Sequence, residues 1–450
     1  MADALPPQPP QAAIVITGKA LPLAKAERVY SSVVIDQRRI EQSPSHELDQ
    51  LLKDVPGLQL FRRSDSRSGH PTSQGVTLRA LGGNASSRAL LVLDGVPQSD
   101  PFGGWVNWPA YDPSDLAGIR VLRGGGSVAN GPGALAGTIE MTSRTDAGVS
   151  AEIDGGSRKS IDANGRIAIA AGSSIISLSG QGGRSDGFVP ITKATRGPAD
   201  QGARYREWSG RSRWVTPLGS STALQANVSA FHDWRTRGTA FSANRTNGAD
   251  ASVRLVGRGA WQWSALAYWQ WRNLRSSFAS VSPGRSVATR VLLQDSVPSH
   301  GLGGSVEVRP PVPNGIELRL GADARRTDGE THELFTYIAG EPTRRRRAGG
   351  ETWTNGAFAE ASVALGRATL TAGGRIDHWT ITNGHLFEQQ IATGAVLTDQ
   401  HDPKRQGWLP TARGGVLAPI GGGFSLRSAA YLGWRLPTLN ELFRPFRAGL

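Results

Sequence analysis

Residues 316–325 read Ile-Glu-Leu-Arg-Leu-Gly-Ala-Asp-Ala-Arg, so that apolar side chains alternate with charged ones. Alternation with a period of two is typical of a β-strand that has one apolar and one polar face. The same pattern recurs at residues 176–181, 368–377 and 424–435. From residue 147 onward there are roughly fourteen such segments of about 10 residues each. Residues 147–450 are therefore predicted to form a large antiparallel sheet.

The apolar face of these segments is thin, consisting mostly of Ala, Leu, Val and Gly. No run of about 18 apolar residues could form a membrane-spanning helix, whereas a β-strand crosses a bilayer with about 9–11 residues. Trp261, Trp263, Trp269 and Trp271 lie near segment ends, as an aromatic girdle requires. The pattern predicts a membrane β-barrel with a lipid-facing belt and a polar lumen. The alternative is a soluble all-β protein such as a propeller, but the repeat of about 40–45 residues is missing.

Residues 26–146 have the mixed pattern of a compact α/β domain. A helix is predicted to begin at Ser43 as N-cap, with Pro44 in the first helical position, and to end at Pro56-Gly57. Its apolar stripe consists of Leu48, Leu51, Leu52 and Val55. Strands are predicted at residues 29–35, 58–61, 76–78, 90–93, 119–122 and 138–142, with a tight turn at Asp94-Gly95.

Residues 1–25 precede this domain and begin as a proline-rich tail without apolar periodicity. A short β-prone patch follows, consisting of Ile14, Val15, Ile16, Thr17 and Gly18. An isolated patch behind a flexible tail can pair with the sheet edge of a partner by strand addition. The alternative is that it forms the first strand of the next domain.

The net charge of +13 and the pI near 10.7 first suggest a polyanionic partner such as nucleic acid or an anionic membrane surface. The arginines are scattered along the chain and form no basic domain, so no nucleic-acid partner is predicted. The chain contains no Cys, which excludes disulfides and thiolate metal sites. Its first residues lack the charged and apolar regions of a signal peptide.

Searches for catalytic motifs find none. His46-Glu47 and His332-Glu333 both lack the second histidine of a zinc-binding HExxH helix, and there is no nucleophile elbow. We therefore expect no enzymatic activity, no bound metal and no cofactor. The four consecutive arginines at residues 344–347 are interpreted as a strand end or rim that faces lipid phosphates or a ligand, or simply as a solvated charged stretch.

Several ordered motifs resemble one family. Residues 51–57 read Leu-Leu-Lys-Asp-Val-Pro-Gly, and residues 91–97 read Leu-Val-Leu-Asp-Gly-Val-Pro. Residues 119–124 read Ile-Arg-Val-Leu-Arg-Gly, and residues 131–139 read Gly-Pro-Gly-Ala-Leu-Ala-Gly-Thr-Ile. Residues 434–445 read Trp-Arg-Leu-Pro-Thr-Leu-Asn-Glu-Leu-Phe-Arg-Pro. In this order they resemble the plug and barrel signatures of TonB-dependent outer-membrane receptors, similar to siderophore and cobalamin receptors.

The resemblance implies a barrel of the 22-stranded type that is filled by an N-terminal mixed α/β plug. At about 10 residues per strand, residues 147–450 cannot hold all of these strands. The barrel is therefore expected to be partial, with its C-terminal strands missing. The patch from Ile14 to Gly18 stands where the family has its TonB box, and residues 26–146 stand where it has its plug. The implied location is the bacterial outer membrane, with the signal peptide absent from this chain.

The resemblance also places two plug loops at the outer vestibule of the barrel. The candidate ligand-binding residues are Arg62, Arg63, Arg67 and His70 in the first loop and Asp100, Phe102, Trp105, Asn107 and Trp108 in the second. The second loop offers aromatic faces beside small polar groups, which suits an amphipathic ligand. The alternative is that Trp105 and Trp108 wedge the plug against the barrel wall.

The predicted function is TonB-dependent transport of a scarce solute, with a ferric siderophore as the first expectation. The alternatives are cobalamin or another organic solute, and a passive porin or adhesin barrel. The expected partners are TonB with its inner-membrane energising complex, a small molecule such as a metal chelate, and membrane lipids including lipopolysaccharide. The protein is expected to be a monomer.

Overall fold

A computed structural model describes residues 21–445 except residues 63, 80 and 125–127. The chain folds into an N-terminal mixed domain, the plug, followed by a large antiparallel sheet. Within the described residues, no helix has the length and apolar character needed to cross a membrane.

The plug is built on a five-stranded sheet with the strand order β1-β6-β7-β4-β5, in which β4 and β7 are parallel. A separate pair joins β2 to β3. The strands are β1 (Ser32–Asp36), β2 (Leu58–Leu60), β3 (Val76–Leu78), β4 (Ala89–Leu93), β5 (Val96–Pro97), β6 (Leu116–Arg123) and β7 (Gly137–Ser143). The turn at Asp94-Gly95 is confirmed, and both residues have positive φ as a type I′ hairpin turn requires.

The plug has three short helices: α1 (Lys25–Val29), α2 (Gln37–Glu41) and α3 (Leu48–Leu51). The helices α2 and α3 contribute Ile40, Leu48 and Leu51 to the plug core, whereas α1 lies against strands of the large sheet. The continuous helix predicted from Ser43 is wrong, because the hydroxyl of Ser43 accepts a bond from the backbone N–H of Ser45 and makes a local turn instead. The predicted apolar stripe is nevertheless buried in the plug core. The strand predicted at residues 29–35 is also displaced, because α1 occupies its first residue and β1 begins at Ser32.

The second sheet has fourteen strands, which confirms the predicted number and the predicted fold class. Each strand pairs antiparallel with the next in the chain, except that β18 pairs with both β19 and β20. The strands are β8 (Gly148–Gly156), β9 (Ser160–Ala171), β10 (Ser174–Ser185), β11 (Tyr205–Leu218), β12 (Thr222–Arg235), β13 (Asn244–Arg258), β14 (Gln262–Val281), β15 (Ala288–Arg309), β16 (Ile316–Ile338), β17 (Glu341–Leu365), β18 (Ala368–Gln390), β19 (Val396–His401), β20 (Arg405–Gly421) and β21 (Phe424–Tyr431).

The strands are longer than the predicted segments of about 10 residues. The strand β17 has 25 residues, so it extends well beyond the length that crosses a bilayer. The alternation predicted up to residue 435 is also too long, because β21 ends at Tyr431. A short helix, α4 (Leu439–Phe443), follows.

The two faces of the sheet differ as the alternation predicts. On β16, Arg319 and Asp323 are buried against the plug, whereas Ile316 and Leu320 on the other parity are exposed. The charged parity therefore lines a lumen that the plug fills, and the apolar parity forms the outer belt.

The connections define two rims of the barrel. One rim, the short-turn rim, carries the connections at residues 172–173, 219–221, 259–261, 310–315, 366–367 and 422–423. The opposite rim, the long-loop rim, carries the connections at residues 157–159, 186–204, 236–243, 282–287, 339–340 and 391–404.

Exposed tryptophans mark both borders of the apolar belt. Trp261 lies in a turn of the short-turn rim, and Trp269 lies farther along β14 toward the long-loop rim; both are exposed. The eight residues from one to the other span about 26 Å of strand. This length matches the apolar band of about 25 Å in membrane barrels.

Candidate functional site

Ion pairs join the plug to the inner face of the barrel. Arg67 of the plug donates to Asp162 on β9 and to Glu207 on β11, each at 2.6 Å. The carboxylate of Asp94, in the β4–β5 turn, accepts a bond of 2.7 Å from Arg211 on β11. All of these side chains are largely buried. Each charge therefore depends on its partner to offset the cost of leaving water.

Glu27 on α1 attaches the start of the plug to the barrel. Its carboxylate lies 3.3 Å from Arg120 of the plug, 3.2 Å from Arg319 on β16 and 3.1 Å from Arg413 on β20. Burial alone would raise the pKa of Glu27, but the three guanidinium groups outweigh burial and hold the pKa at about 2. The group is thus ionised at neutral pH and serves as the centre of a buried ionic cluster.

The described chain begins at the short-turn rim. Arg309, the last residue of β15, donates to the carbonyl oxygen of Pro22 at 2.6 Å. The backbone N–H of Lys25 donates to the carboxylate of Glu317, near the start of β16, at 3.2 Å. Both barrel residues border the connection at residues 310–315. The predicted TonB box, Ile14, Val15, Ile16, Thr17 and Gly18, lies outside the described residues.

In the first predicted ligand loop, one candidate residue is exposed. Arg62 is exposed at the apex of the plug, whereas Arg63 lies outside the described residues. Arg67 is used in the ion pairs to the barrel wall. In this conformation the guanidinium group of Arg67 is therefore occupied by ion pairs and is not available for the predicted ligand role.

His70, in the same loop, is buried between the plug and the barrel. Its Nε2 lies 3.1 Å from the hydroxyl of Ser276 on β14, and its Nδ1 accepts from the backbone N–H of Thr72 at 3.1 Å. Burial, followed by nearby arginines such as Arg237, holds the pKa of His70 well below its usual range. A neutral imidazole with hydrogen bonds on both ring nitrogens is thus packed between the plug and the barrel.

The second predicted loop is buried as well. Asp100, Phe102, Trp105, Asn107 and Trp108 are each at most 5% exposed. The carboxylate of Asp100 accepts from the backbone N–H groups of the second and third residues after it, at 3.0 Å each, and thereby shapes the loop. Trp108 belongs to the plug core, and Phe102 and Trp105 contact the barrel. In this conformation the predicted residues of the second loop are therefore packed inside the apex.

The segment after β21 covers this loop. In α4, Leu439 and Phe443 pack into the same apolar cluster as Phe102 and Trp105. The backbone N–H of Asn440 donates to the carbonyl oxygen of Phe102 at 2.9 Å. The burial of Phe102 and Trp105 thus depends on a contact with α4 that sequence spacing cannot reveal.

Four arginines line the space above the plug on the side of the long-loop rim, and we call them the vestibule arginines: Arg62 at the plug apex, Arg237 in the connection at residues 236–243, Arg290 on β15 and Arg344 on β17. Among the residues that the structure describes, no carboxylate lies within ion-pair distance of any of them. They therefore carry an uncompensated positive charge into this space.

Aromatic rings lie beside two of these arginines. The guanidinium group of Arg237 lies 5.2 Å from the ring centre of Phe278, and that of Arg290 lies 4.9 Å from Phe241 and 6.0 Å from Tyr337. The Nε atoms of Arg237 and Arg290 are buried without a hydrogen-bond partner. Burial, then the nearby Arg62, lowers the pKa of Arg237 to about 10. Two partly desolvated cations with unused donors thus stand next to aromatic faces.

The arginine run at residues 344–347 divides between the two faces of β17. Arg346 is buried and pairs with Glu388 at 3.1 Å, and Arg344 shares its parity. Arg345 and Arg347 are exposed on the outer face. The rule that alternate residues of a strand share a face was the signal that could have identified Arg344 as a lumen residue.

This vestibule can bind an anion. Guanidinium groups donate hydrogen bonds in a planar fork that fits carboxylates and other planar oxyanions. Their attraction for an anion is stronger in a space that is partly shielded from water. The adjacent rings add a surface for a planar or aromatic ligand. Sequence reasoning missed Arg237 and Arg290, because their arrangement depends on contacts between separate loops and strands.

One cluster of the described residues offers three metal-ligand atoms: His46 of the plug with Glu152 and Asp154 of β8. The imidazole lies between the two carboxylates, with Nδ1 3.7 Å from Glu152 and Nε2 3.1 Å from Asp154. Because different ring nitrogens face the two carboxylates, the arrangement is that of a polar contact between the plug and β8.

Comparisons with protein families match both parts of the chain. Residues 24–138 match the TonB-dependent receptor plug domain, and residues 188–449 match the TonB-dependent receptor-like β-barrel. A relative in sequence is the vitamin B12 transporter BtuB of Vibrio vulnificus, with 27% identity over 179 residues that make up 39% of this chain and 28% of that protein.

Solved structures share the fold. The ferric yersiniabactin uptake receptor FyuA of Yersinia pestis has a TM-score of 0.70 at 15% identity, over 88% of this chain and 63% of that one. The copper transporter OprC has a TM-score of 0.68 at 16% identity, over 89% and 63%. The unliganded ferric citrate transporter FecA has a TM-score of 0.69 at 13% identity, over 90% and 63%. The chain thus spans less than two thirds of the length of these proteins.

The Glu27 cluster gives a prediction for local stability. Because the folded-state pKa of about 2 lies below the usual 4.5, this stabilisation is present above about pH 4.5 and is lost as the pH falls toward 2. Its size is about 3 kcal/mol. Glu27→Gln should therefore speed amide hydrogen exchange in α1 at pH 7. The matched control is Glu41→Gln, at a half-exposed plug carboxylate. Equal exchange in wild type and Glu27→Gln would contradict the assignment.

Proposed function

The chain belongs to the TonB-dependent receptor family, and on that premise we propose that it imports a scarce anionic solute of the ferric-siderophore type across the bacterial outer membrane. The observation that carries the choice of solute is the set of vestibule arginines, which have no carboxylate partners within the described residues. An anionic chelate that settles on the plug apex would supply the missing negative charge.

A second candidate is a cobalamin-type solute, because the relative from Vibrio vulnificus is named as a vitamin B12 transporter. Cyanocobalamin has no net charge, so it gains little from unpaired guanidinium groups. The charge of the vestibule therefore favours the anionic chelate, whereas the sequence relative favours cobalamin. The two candidates differ in a property that binding measurements can separate.

The coupling to TonB is proposed to act through the N-terminal segment. TonB captures the residues from Ile14 to Thr17 as an added β-strand. The segment that follows, from Leu21 to Ala24, lies at the short-turn rim and lines a cavity of about 580 Å³ between the plug and the barrel wall. Force on this segment acts directly on the Glu27 cluster, whose release would loosen the plug beside that cavity. Capture therefore couples to local opening of the plug.

The proposed activity is transport without catalysis. The carboxylates and histidines of the plug seam are used in ion pairs and backbone bonds, as the contacts of Asp94, Asp100 and His70 illustrate. A passive porin is disfavoured, because the plug fills the lumen and is attached to its wall by buried charges. The proposed partners are TonB and the anionic solute, and the proposed location is the outer membrane.

Neighbouring arginines on β17 provide a test of the vestibule. Arg344→Gln removes an inward guanidinium group, whereas Arg345→Gln removes an outward one from the same strand with the same change in net charge. Loss of a hydrogen bond to a charged group should weaken binding of an anionic ferric catecholate chelate by about tenfold to a hundredfold in Arg344→Gln. Isothermal titration of the detergent-purified protein measures the affinity.

Binding by Arg345→Gln should match that of the wild type. Equal losses in the two variants would mean that net charge, and not the vestibule, governs the affinity. Unchanged binding in Arg344→Gln would remove this residue from the site.

Deletion of residues 12–18 tests the coupling. Uptake by cells should be abolished, because TonB loses the strand that it captures, while binding of the same chelate to purified protein should stay unchanged. A matched control deletes residues 4–10 of the proline-rich tail and leaves the patch intact. Retained uptake without residues 12–18 would overturn the TonB-box assignment.

A further inference from the structure

Three side chains meet on the outer face of the barrel near the long-loop rim, and we call them the outer His–Glu cluster: Glu330 and His332 of β16, and His385 of β18. Thr331 and Glu333, which alternate with the first two, are buried in the lumen, so Glu330 and His332 face outward. The helical HExxH spacing does not describe this cluster, because its second histidine comes from another strand.

A β-bulge on β18 turns His385 to this outer face. The register of β18 against β17 shifts at this point, where β18 contains one extra residue. Asn383 lies in the bulge with a φ of 57°, a conformation that Asn adopts more readily than most residues. Before the bulge the odd-numbered residues of β18, such as Ile381, are buried in the lumen, and after it the even-numbered ones, such as Glu388, are buried. The bulge therefore re-aims the imidazole of His385 outward.

Gly349 of β17 allows the cluster to close across that strand. In register it lies between Glu330 on β16 and His385 on β18. A Cβ at this position would lie 2.2 Å from the carbonyl oxygen of Gly329 and 2.7 Å from the Cα of Glu330, so no side chain fits there. The carboxylate of Glu330 thus reaches over bare backbone to His385, although two strand spacings, about 9.6 Å in total, separate the two backbones.

The hydrogen bonds of His385 place a cation between its imidazole and Glu330. Its Nδ1 lies 3.1 Å from the carbonyl oxygen of Asn383, and a carbonyl oxygen only accepts, so Nδ1 carries a proton. Its Nε2 lies 2.6 Å from one carboxylate oxygen of Glu330, while Nε2 of His332 contacts the other oxygen. In the neutral imidazole of His385 the lone pair of Nε2 would thus face a carboxylate. A proton or a metal ion must lie between them.

This arrangement is the one that metal-binding histidines use. Such histidines donate the N–H of their other ring nitrogen to a carbonyl or carboxylate oxygen, as His385 does, and this bond fixes the tautomer. Two imidazole nitrogens and one carboxylate are ligands that zinc and similar divalent ions prefer, with water in the fourth position. Ligand atoms of a tetrahedral zinc site lie about 3.3 Å apart, so an ion needs the carboxylate of Glu330 to withdraw by less than about 1 Å. All three side chains are partly exposed and have room for that adjustment.

The cluster lies outside the apolar belt. Trp269, at the long-loop border of the belt, lies in the same register row as Arg326 and Trp353. Glu330 is four residues farther toward the long-loop rim than Arg326, which is about 13 Å along the strand. A hydrated ion can therefore reach the cluster without entering hydrocarbon.

We propose that Glu330, His332 and His385 bind one divalent transition-metal ion of the zinc type. The ion would join β16 to β18 across β17. On the inner side of the same place, a Cβ at Gly350 would lie 2.4 Å from the ring of Phe443, so this wall holds α4 in close contact. The ion would thus fix the part of the wall on which α4 packs. The site is separate from the vestibule and does not depend on the identity of the solute.

Metal titration of the detergent-purified full chain tests the site. Calorimetry with Zn²⁺ measures affinity and stoichiometry, and the visible absorption of Co²⁺ reports a tetrahedral ligand set. We expect one ion per chain, and Glu330→Gln, His332→Gln and His385→Gln should each lower the Zn²⁺ affinity by at least about tenfold. The matched control is His232→Gln, at a half-buried outward histidine of β12 whose Nδ1 lies 2.7 Å from Asn247, and it should bind like the wild type.

A second control, His46→Gln, separates this site from the contact of His46 with Glu152 and Asp154. Zn²⁺ binding that is lost in His46→Gln but retained in His385→Gln would overturn the proposal. Equal losses in His232→Gln and His385→Gln would also overturn it, as would the absence of saturable binding by the wild type. Circular dichroism of each variant distinguishes a lost ligand from a misfolded sheet. In addition, Zn²⁺ should slow amide hydrogen exchange at the long-loop ends of β16 and β18 in the wild type and not in His385→Gln.

Discussion

Compensation of buried charge between plug and barrel is the constraint on which the structure depends. Alternation along each strand turns one charged parity inward, and a charge that is buried there is costly unless it has a partner. Glu27 meets Arg319 and Arg413, Arg67 meets Glu207, and Asp94 meets Arg211. Without the plug these barrel arginines would line an open polar channel. With it, the same strands that face lipid outside hold a second domain inside.

The sequence was sufficient for those features that depend on local periodicity. The fourteen strands, the border tryptophans and the Asp94-Gly95 turn follow from a period of two and from turn chemistry. The helix predicted from Ser43 failed, because a single hydroxyl-to-backbone bond redirected the chain. The burial of the second ligand loop was not predicted for a different reason, since α4 lies far along the chain from Trp105 yet covers it. Burial by a segment that is distant in sequence cannot be predicted from the residue pattern of the loop itself.

The proposed solute preference depends on arginines that have no carboxylate partner. In the lumen, most guanidinium groups are neutralised, as Arg346 is by Glu388, so the vestibule arginines stand out by contrast. The adjacent residues Arg344 and Arg345 lie on the inner and the outer face of β17, although the sequence presents them as one basic run. The face of the strand on which an arginine lies therefore indicates its role, whereas composition gives only its charge.

The solute preference of the unmodified protein tests the role of the vestibule arginines most directly. Titration calorimetry would compare an anionic ferric catecholate chelate with cyanocobalamin at low and at physiological ionic strength. We expect saturable binding of the ferric chelate that weakens as salt screens the vestibule arginines, together with no measurable binding of cyanocobalamin. Saturable binding of cyanocobalamin, with no response to the anionic chelate, would contradict it.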